Sequence, residues 1–196
     1  MSPLQLRANF RPAPAPFIEA ADRIVSPILD AGCGTGNASL YFAALGRQVT
    51  GIDFVEEAIR RARAKAVERG LDVRFEIKDA MTLGVWDQCF ASVIDSGLFH
   101  IYHGQQRDQY VEGLAHVLKP GGRLFLFGFS DQEPARPGRP EGMSRQELEA
   151  AFADGWIIES LRLVRGEMNP AFVAEFPERN QDGGPLMWFA EIRHAM

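Results

Sequence analysis

The stretch ILDAGCGTGN (residues 28–37) determines how the rest of the chain folds. Apolar residues lead into it and predict a buried strand. Three alternating glycines follow and allow a sharp turn, because glycine has no Cβ to restrict the backbone or to block an approaching ligand. The residues after the turn predict the start of a helix, whose free N–H groups and positive dipole end attract polar or anionic ligand groups.

The spacing of these glycines separates two classes of nucleotide ligand. A dinucleotide-binding turn has the pattern G-x-G-x-x-G, and its third glycine would fall where this chain has Asn37. The glycines here are instead Gly32, Gly34 and Gly36. A second apolar run ends at Asp53, whose carboxylate is placed to accept both hydroxyls of a ribose. Asp53 therefore indicates a ligand that contains a ribose. The glycine spacing, with Asn37 in place of the third glycine, argues against a nicotinamide oxidoreductase.

With Asp30 before the glycines, the sequence resembles the class I S-adenosylmethionine (SAM) dependent methyltransferases, whose first motif is D/E-x-G-x-G-x-G. The resemblance implies SAM as cofactor and S-adenosylhomocysteine (SAH) as product. In this family an acidic residue after the third strand accepts a hydrogen bond from adenine, and Asp79 matches it, although a turn aspartate is the alternative. The implied cofactor-binding residues are Asp30, Gly32, Cys33, Gly34, Gly36, Asn37, Asp53, Phe54, Asp79, Ala80, Asp95 and Ser96.

The order of predicted elements indicates one α/β domain over residues 1–196. After the first strand, strands are predicted at 48–53, 73–77, 90–94, 123–129, 156–164 and 185–193, and helices at 17–25, 38–45, 56–69, 105–118 and 144–153. No helix separates the last two strands, so we expect them to pair antiparallel. The resemblance implies a Rossmann-like, doubly wound, seven-stranded sheet, mostly parallel, with the order 3-2-1-4-5-7-6.

Later segments narrow the resemblance within the family. They are VIDSGLFH (residues 93–100), KPGG (119–122) and FGFSD (127–131), followed by a helix and ADGW (153–156). Together they resemble the small-molecule methyltransferases of the thiopurine and tellurite-resistance type, and those that methylate heterocyclic phenol or quinol toxins. This implies methylation of oxygen, sulfur or nitrogen on a small aromatic or heterocyclic acceptor. Only FRPAP (10–14) remains of the family's N-terminal motif, with no tryptophan nearby.

The loop after the fourth strand carries the candidate for acid–base chemistry. His100 is the candidate, because the unperturbed pKa of a histidine side chain, near 6.5, suits a base that removes a proton from a hydroxyl or thiol. A histidine that only lines or braces this loop is the equal alternative. The predicted acceptor pocket is formed by Phe99, Tyr102, Phe172 and Trp188, although aromatic residues at such places equally often belong to the core.

Two peripheral regions lack clear periodicity. Residues 1–23 are proline-rich at first, which predicts either a disordered tail or a lid over the cofactor with Phe10, Arg11 and Phe17 as its contacts. Residues 131–184 include two irregular stretches that we expect to face the acceptor in part.

Bulk properties bound the remaining possibilities. The 196 residues carry a net charge of −5, which argues against nucleic acid as partner. The two cysteines suit a reducing compartment, and no ligand spacing indicates a metal. With no apolar run long enough for a membrane, we expect a cytoplasmic monomer or homodimer.

Two further functions stay open. One is a methyltransferase for RNA or protein, which the missing N/D-P-P-Y/F motif after the fourth strand disfavours. The other is a SAM-binding regulator without catalysis.

Overall fold

The computed structural model describes residues 13–132, 141–167 and 184–195, which form a seven-stranded sheet with helices against it. Its strands are β1 Ile28–Ala31, β2 Val49–Asp53, β3 Arg74–Ile77, β4 Phe90–Ser96, β5 Leu118–Phe129, β6 Trp156–Arg165 and β7 Leu186–His194. Its helices are α1 Ala15–Glu19, α2 Asn37–Ala44, α3 Glu56–Glu68, α4 Gln105–Val117 and α5 Arg145–Ala151, with short 3-10 helices at Ala80–Val85 and Phe99–Ile101. None of the helices described is long and apolar enough to cross a membrane.

The strand order is β3-β2-β1-β4-β5-β7-β6, which confirms the order predicted from the sequence. Strands β1 to β5 run parallel to one another, and β7 runs antiparallel to both β5 and β6. The strand order reverses at β1: β2 and β3 are added on one side of it, and β4 lies on the other side. In open parallel sheets such a reversal opens a crevice at the carboxyl ends of the strands, where ligands bind.

The start of β5 differs from the sequence prediction. We expected the strand to begin at residue 123, but it already begins at Leu118, which pairs with Phe90. The register then shifts, so that Arg123 pairs with Ser92. Gly121, with a φ of +74°, lies in the irregularity and provides a backbone angle that other residues rarely adopt.

Side chains alternate between two core layers along β5. Leu124 and Leu126 join the cluster beneath α4, whereas Phe125 and Phe127 join the cluster that contains α1. Burial on both faces is the reason why this strand has an almost continuously apolar sequence.

Phe17 belongs to the second core layer. Its ring lies fully buried, edge-on to Phe127 at 6.1 Å and to Phe189 at 5.8 Å. The expectation that Phe17 contacts the cofactor as part of a lid is therefore wrong. Phe10 and Arg11 lie outside the described residues, and the helix predicted at 17–25 is the shorter α1.

Candidate functional site

The glycine-rich turn begins directly after β1, at the carboxyl edge of the sheet. Gly32, Gly34 and Gly36 have φ angles of +68°, +53° and +77°. Such left-handed angles cost a side-chain-bearing residue about 1–2 kcal/mol, so the turn requires glycine at all three positions. Ala31, the last residue of β1, pairs with Ile52 on β2 and with Asp95 on β4. The turn thus opens at the reversal point of the strand order.

The three glycines have different surroundings. A Cβ added to Gly36 would lie 2.6 Å from the Phe75 ring and 3.0 Å from Ala62, and one added to Gly32 would lie 3.2 Å from Leu98. A Cβ added to Gly34 would have no described atom within 4 Å. Gly32 and Gly36 therefore allow close packing of the protein, whereas Gly34 borders open space that a ligand can fill.

Gly36→Ala is expected to destabilise the fold by about 2–5 kcal/mol, combining backbone strain with overpacking. Gly34→Ala introduces backbone strain without overpacking and should lower the free energy of unfolding by about 1–2 kcal/mol. Urea unfolding of both variants measures the difference. Equal losses would contradict the packing role assigned to Gly36.

Asp53, at the end of β2, is hydrogen-bonded to the glycine turn. One carboxylate oxygen accepts a hydrogen bond from Gly34 N at 2.9 Å, and the other accepts from Val55 N at 2.9 Å. Each oxygen keeps a lone pair for a further donor. The next residue in the chain, Phe54, is an aromatic residue that is 66% exposed. A carboxylate with free lone pairs, followed in the chain by an exposed aromatic residue, fits a ribose and a flat base.

Asp30 is hydrogen-bonded to α2, the helix that follows the glycine turn. Its buried carboxylate accepts from Ser39 N at 3.0 Å and from Ser39 Oγ at 2.5 Å. Burial raises the pKa of Asp30 to about 7, although the two hydrogen bonds oppose that rise. The structure shows Asp30 as an anchor between β1 and α2, and its cofactor contact stays a prediction.

The other predicted cofactor residues surround the same edge. Asp79 is exposed and caps the 3-10 helix at Ala80–Val85 by accepting from Met81 N at 2.9 Å, so the turn alternative is present, with one carboxylate oxygen left over. Burial raises the pKa of the Cys33 thiol, which stays protonated. Asn37 begins α2, and Ser96 ends β4.

Asp95 braces the loop after β4. The buried carboxylate accepts from Leu98 N at 2.8 Å, from Phe99 N at 3.0 Å and from Tyr110 OH at 2.9 Å. Burial raises its pKa to about 6, against the effect of these donors. The arrangement favours a bracing role over the cofactor contact that we predicted. No sequence signal indicated Tyr110, which lies on α4.

His100 lies in this braced loop with an unsatisfied nitrogen. The side chain is only 5% exposed, and its ring stands edge-on to Phe129 at 5.1 Å. A Cβ added to Gly128 would lie 2.7 Å from Met143 Cε and at an ordinary contact distance of 3.5 Å from Nδ1, so glycine leaves room for the methionine side chain beside the imidazole. Within the part of the chain that the structure describes, Nδ1 is buried without a hydrogen-bond partner. Burial, helped by His103, lowers the pKa of His100 to about 4, and the ring is neutral at neutral pH.

Two of the predicted pocket residues lie in the core instead. Phe99 is buried and stacks on Phe152 at 5.3 Å. Trp188 is also buried, and its indole N–H donates to Met143 O at 2.7 Å. The core alternative that we left open therefore describes both residues better than the pocket prediction.

Tyr102 is also buried in this core cluster, with its ring 5.1 Å from that of Tyr110. Burial and the carboxylates of Asp79, Asp95 and Asp53 raise its pKa to about 12, so the phenol stays protonated at neutral pH. Phe172, the fourth predicted pocket residue, lies outside the described residues. The described residues also include no group of three or more His, Cys, Asp or Glu side chains suited to a metal ion.

Comparison with known proteins identifies the family. Residues 28–122 match a family described as a methyltransferase domain. A 2-heptyl-1-hydroxyquinolin-4(1H)-one methyltransferase of Mycobacteroides abscessus is 30% identical over 173 residues, which cover 87% of this chain and 73% of that protein. The chain belongs to the class I SAM-dependent methyltransferases. Its cofactor is accordingly SAM, which supplies a methyl group activated by a sulfonium sulfur.

Solved structures of other proteins share this fold. One, concerned with the conversion of a disulfide bond into a thioacetal group during echinomycin biosynthesis, has a TM-score of 0.76 and 31% identity, covering 94% of this chain and 83% of its own. The Burkholderia thailandensis 1,6-didemethyltoxoflavin-N1-methyltransferase, with 1,6-didemethyltoxoflavin and SAH bound, has a TM-score of 0.69 and 21% identity, covering 93% and 76%. At 21% identity, the similarity to the Burkholderia thailandensis structure shows that this methyltransferase has the same fold.

Asp53→Ala is expected to weaken SAM binding to this methyltransferase by about 1–3 kcal/mol, the cost of losing charged hydrogen bonds. Calorimetric titration with SAM measures the loss. Asp87→Ala removes the same charge from an exposed site ahead of β4, at the opposite edge of the sheet, and serves as the control. Equal affinities in the two variants would remove Asp53 from the cofactor site.

Proposed function

We propose that this methyltransferase transfers the methyl group of SAM to oxygen, sulfur or nitrogen of a small aromatic or heterocyclic acceptor. The observation that carries the proposal is the buried Nδ1 of His100, which lacks a partner among the described residues. Buried polar atoms normally have partners, and an exception calls for an explanation such as a ligand. An apolar ring bearing one reactive hydroxyl, thiol or ring nitrogen would fit these surroundings.

The position of His100 supports contact with an acceptor. It follows β4 at the same sheet edge as the glycine turn, and Leu98, two residues earlier, packs against Gly32. The loop after β4 thus contacts the glycine turn through Leu98 and carries the imidazole of His100 two residues later. Methyl transfer needs donor and acceptor in line and close together, and a shared rigid loop supports that geometry.

In the proposed mechanism, this chain binds the two substrates, excludes water and accepts a proton. The Asp53 carboxylate and the glycine turn hold the cofactor, and the apolar surroundings of His100 keep water from the acceptor. Nδ1 of His100 accepts the proton that a hydroxyl or thiol releases. Because the pKa of His100 is lowered to about 4, it is a weak base, which favours phenols and thiols over aliphatic alcohols.

Two described chain junctions support an acceptor site at this edge. Met143 N donates to Phe129 O at 2.8 Å, where the chain returns to the end of β5. Gly166 N donates to Pro185 O at 2.7 Å, at the junction of β6 and β7. Both junctions lie at the carboxyl end of β5, consistent with the proposal that part of residues 131–184 faces the acceptor.

The relatives support a heterocyclic acceptor. The Mycobacteroides abscessus enzyme is named for a hydroxyquinolone, and the Burkholderia thailandensis structure contains 1,6-didemethyltoxoflavin. A screen of phenols, quinols, thiols and nitrogen heterocycles for conversion of SAM to SAH tests the proposal. Acceptor-dependent conversion is expected. Conversion only with RNA or protein would favour a macromolecular substrate, and SAM binding without any turnover would favour a regulator.

The pH dependence of the reaction should reflect the lowered pKa of His100. Because the imidazole titrates at about pH 4, kcat/KM should not fall through its protonation until the pH approaches that value. The unfolded chain binds this proton at its ordinary pKa near 6.5, so the contribution of His100 to stability is lost as the pH falls from there toward 4. The measurement is kcat/KM as a function of pH for the wild-type protein and for His100→Ala. If kcat/KM of the wild-type protein falls to half near pH 6.5, and that fall is missing in His100→Ala, burial does not lower the pKa of His100.

A further inference from the structure

We infer that Lys65 is a positioning residue that holds the glycine turn in its SAM-binding shape from the side of α3. The inference depends on the family's cofactor, not on the identity of the acceptor. It concerns a side chain on a helix that precedes β3, well separated in sequence from the turn it contacts.

The Lys65 ammonium faces three oxygen atoms of the turn. Nζ lies 3.0 Å from Thr35 O, 2.7 Å from Thr35 Oγ1 and 3.1 Å from Asn37 Oδ1. An ammonium has three donors, and the turn offers an acceptor for each. Hydrogen bonds from a charged donor are about twice as strong as neutral ones. Lys65 therefore binds the backbone between Gly34 and Gly36 and the first residue of α2.

The packing of α3 brings this lysine into reach. Ala62, one helical turn before Lys65, approaches Gly36 so closely that a Cβ there would lie 3.0 Å away. Asp53 holds Gly34 N on the other part of the turn. Asp53 and Lys65 thus fix successive parts of a segment whose three glycines would otherwise allow many conformations.

Such fixation is expected to act on cofactor affinity. A loop that is ordered before binding loses less entropy when the ligand arrives. Lys65 bonds to Thr35 and Asn37, whereas the open space for a ligand lies at Gly34. The lysine acts through the turn and is not assigned a contact with the cofactor.

Lys65→Met tests the inference, because it keeps an apolar stem and removes the ammonium. Two measurements are made on the full chain: the Kd for SAH by calorimetry, and amide hydrogen exchange of residues 32–37 in the ligand-free protein. We expect the Kd to rise about tenfold and exchange in the turn to become faster. Lys65→Arg, which retains charged donors, should recover most of the affinity.

Arg61→Met is the matched control on α3, since Arg61 pairs with Glu57 on the exposed side of the helix. It should leave SAH affinity and exchange in the turn unchanged. If Lys65→Met does not fold, Thr35→Val removes the Oγ1 acceptor and should weaken SAH binding to a smaller extent. Unchanged affinity in a folded Lys65→Met or Thr35→Val protein, or an equal loss in Arg61→Met, would overturn the inference. Absence of SAH binding to the wild-type chain would instead overturn the cofactor assignment on which the inference depends.

Discussion

Gly34→Val is expected to abolish detectable binding of SAM and SAH. Gly34 has a φ of +53°, and the space beside its missing Cβ is open. A valine would project its branched side chain into that space, where the cofactor is expected to lie. Positive φ angles are also especially unfavourable for β-branched residues, so the turn itself would shift. Calorimetric titration measures the loss.

A second glycine separates the effect on the ligand from backbone strain. Gly70 follows α3 with a φ of +61°, and its added Cβ also meets no described atom within 4 Å. Gly70→Val should therefore lower the unfolding temperature as Gly34→Val does, but retain SAH binding. Normal affinity in Gly34→Val, or equal loss of affinity in both variants, would contradict the assignment of the turn.

His100→Ala is expected to lower kcat by roughly a hundredfold or more, the usual contribution of a general base, while SAH affinity stays unchanged. The physical reason is the loss of Nδ1, the buried nitrogen that lacks a partner among the described residues. His103→Ala, which removes an exposed histidine three residues away, provides the control. Steady-state kinetics with an acceptor found in the screen measure both variants.

His100→Phe distinguishes a base from a residue that only fills space. Phenylalanine keeps an aromatic ring against Phe129 and Gly128 but cannot accept a proton. If turnover recovers in His100→Phe, the imidazole shapes the site and does not act as a base. If both variants lose turnover and keep SAH affinity, the base assignment stands.

Three aspartates at the ends of parallel strands hold the segments that follow the strands. Asp30 binds the start of α2 through Ser39, Asp53 binds the turn at Gly34, and Asp95 binds the loop that carries His100. Backbone N–H groups at such places would otherwise lack partners, and a carboxylate accepts several of them at once. The crevice is therefore built on carboxylates with a structural role, of which the half-buried Asp53 is also placed to contact a ligand.

Local sequence patterns were sufficient to predict most of the strands and the glycine turn, whereas the strand order was implied by the family resemblance. Strand alternation, the glycine spacing and Asp53 depend on neighbours within one strand–turn–helix unit. The capping box at Ser144 and Glu147 is equally local, because both partners lie within one helical turn.

Contacts between distant segments could not be predicted in this way. Tyr110 and Asp95 are 15 residues apart, and Lys65 and Thr35 are 30 apart, so their contacts depend on how α4 and α3 dock. Aromatic residues pose a different difficulty. Phe99 and Trp188 suit a core and a ligand pocket equally well by composition, and only packing places them in the core.

The most direct test of the central claim is a crystal structure of the full chain with SAH. We expect the ribose hydroxyls of SAH at the Asp53 carboxylate and the rest of the ligand over Gly34, with the protein backbone of the turn little changed. SAH bound elsewhere, or a crevice at Gly34 filled by protein side chains, would contradict the account.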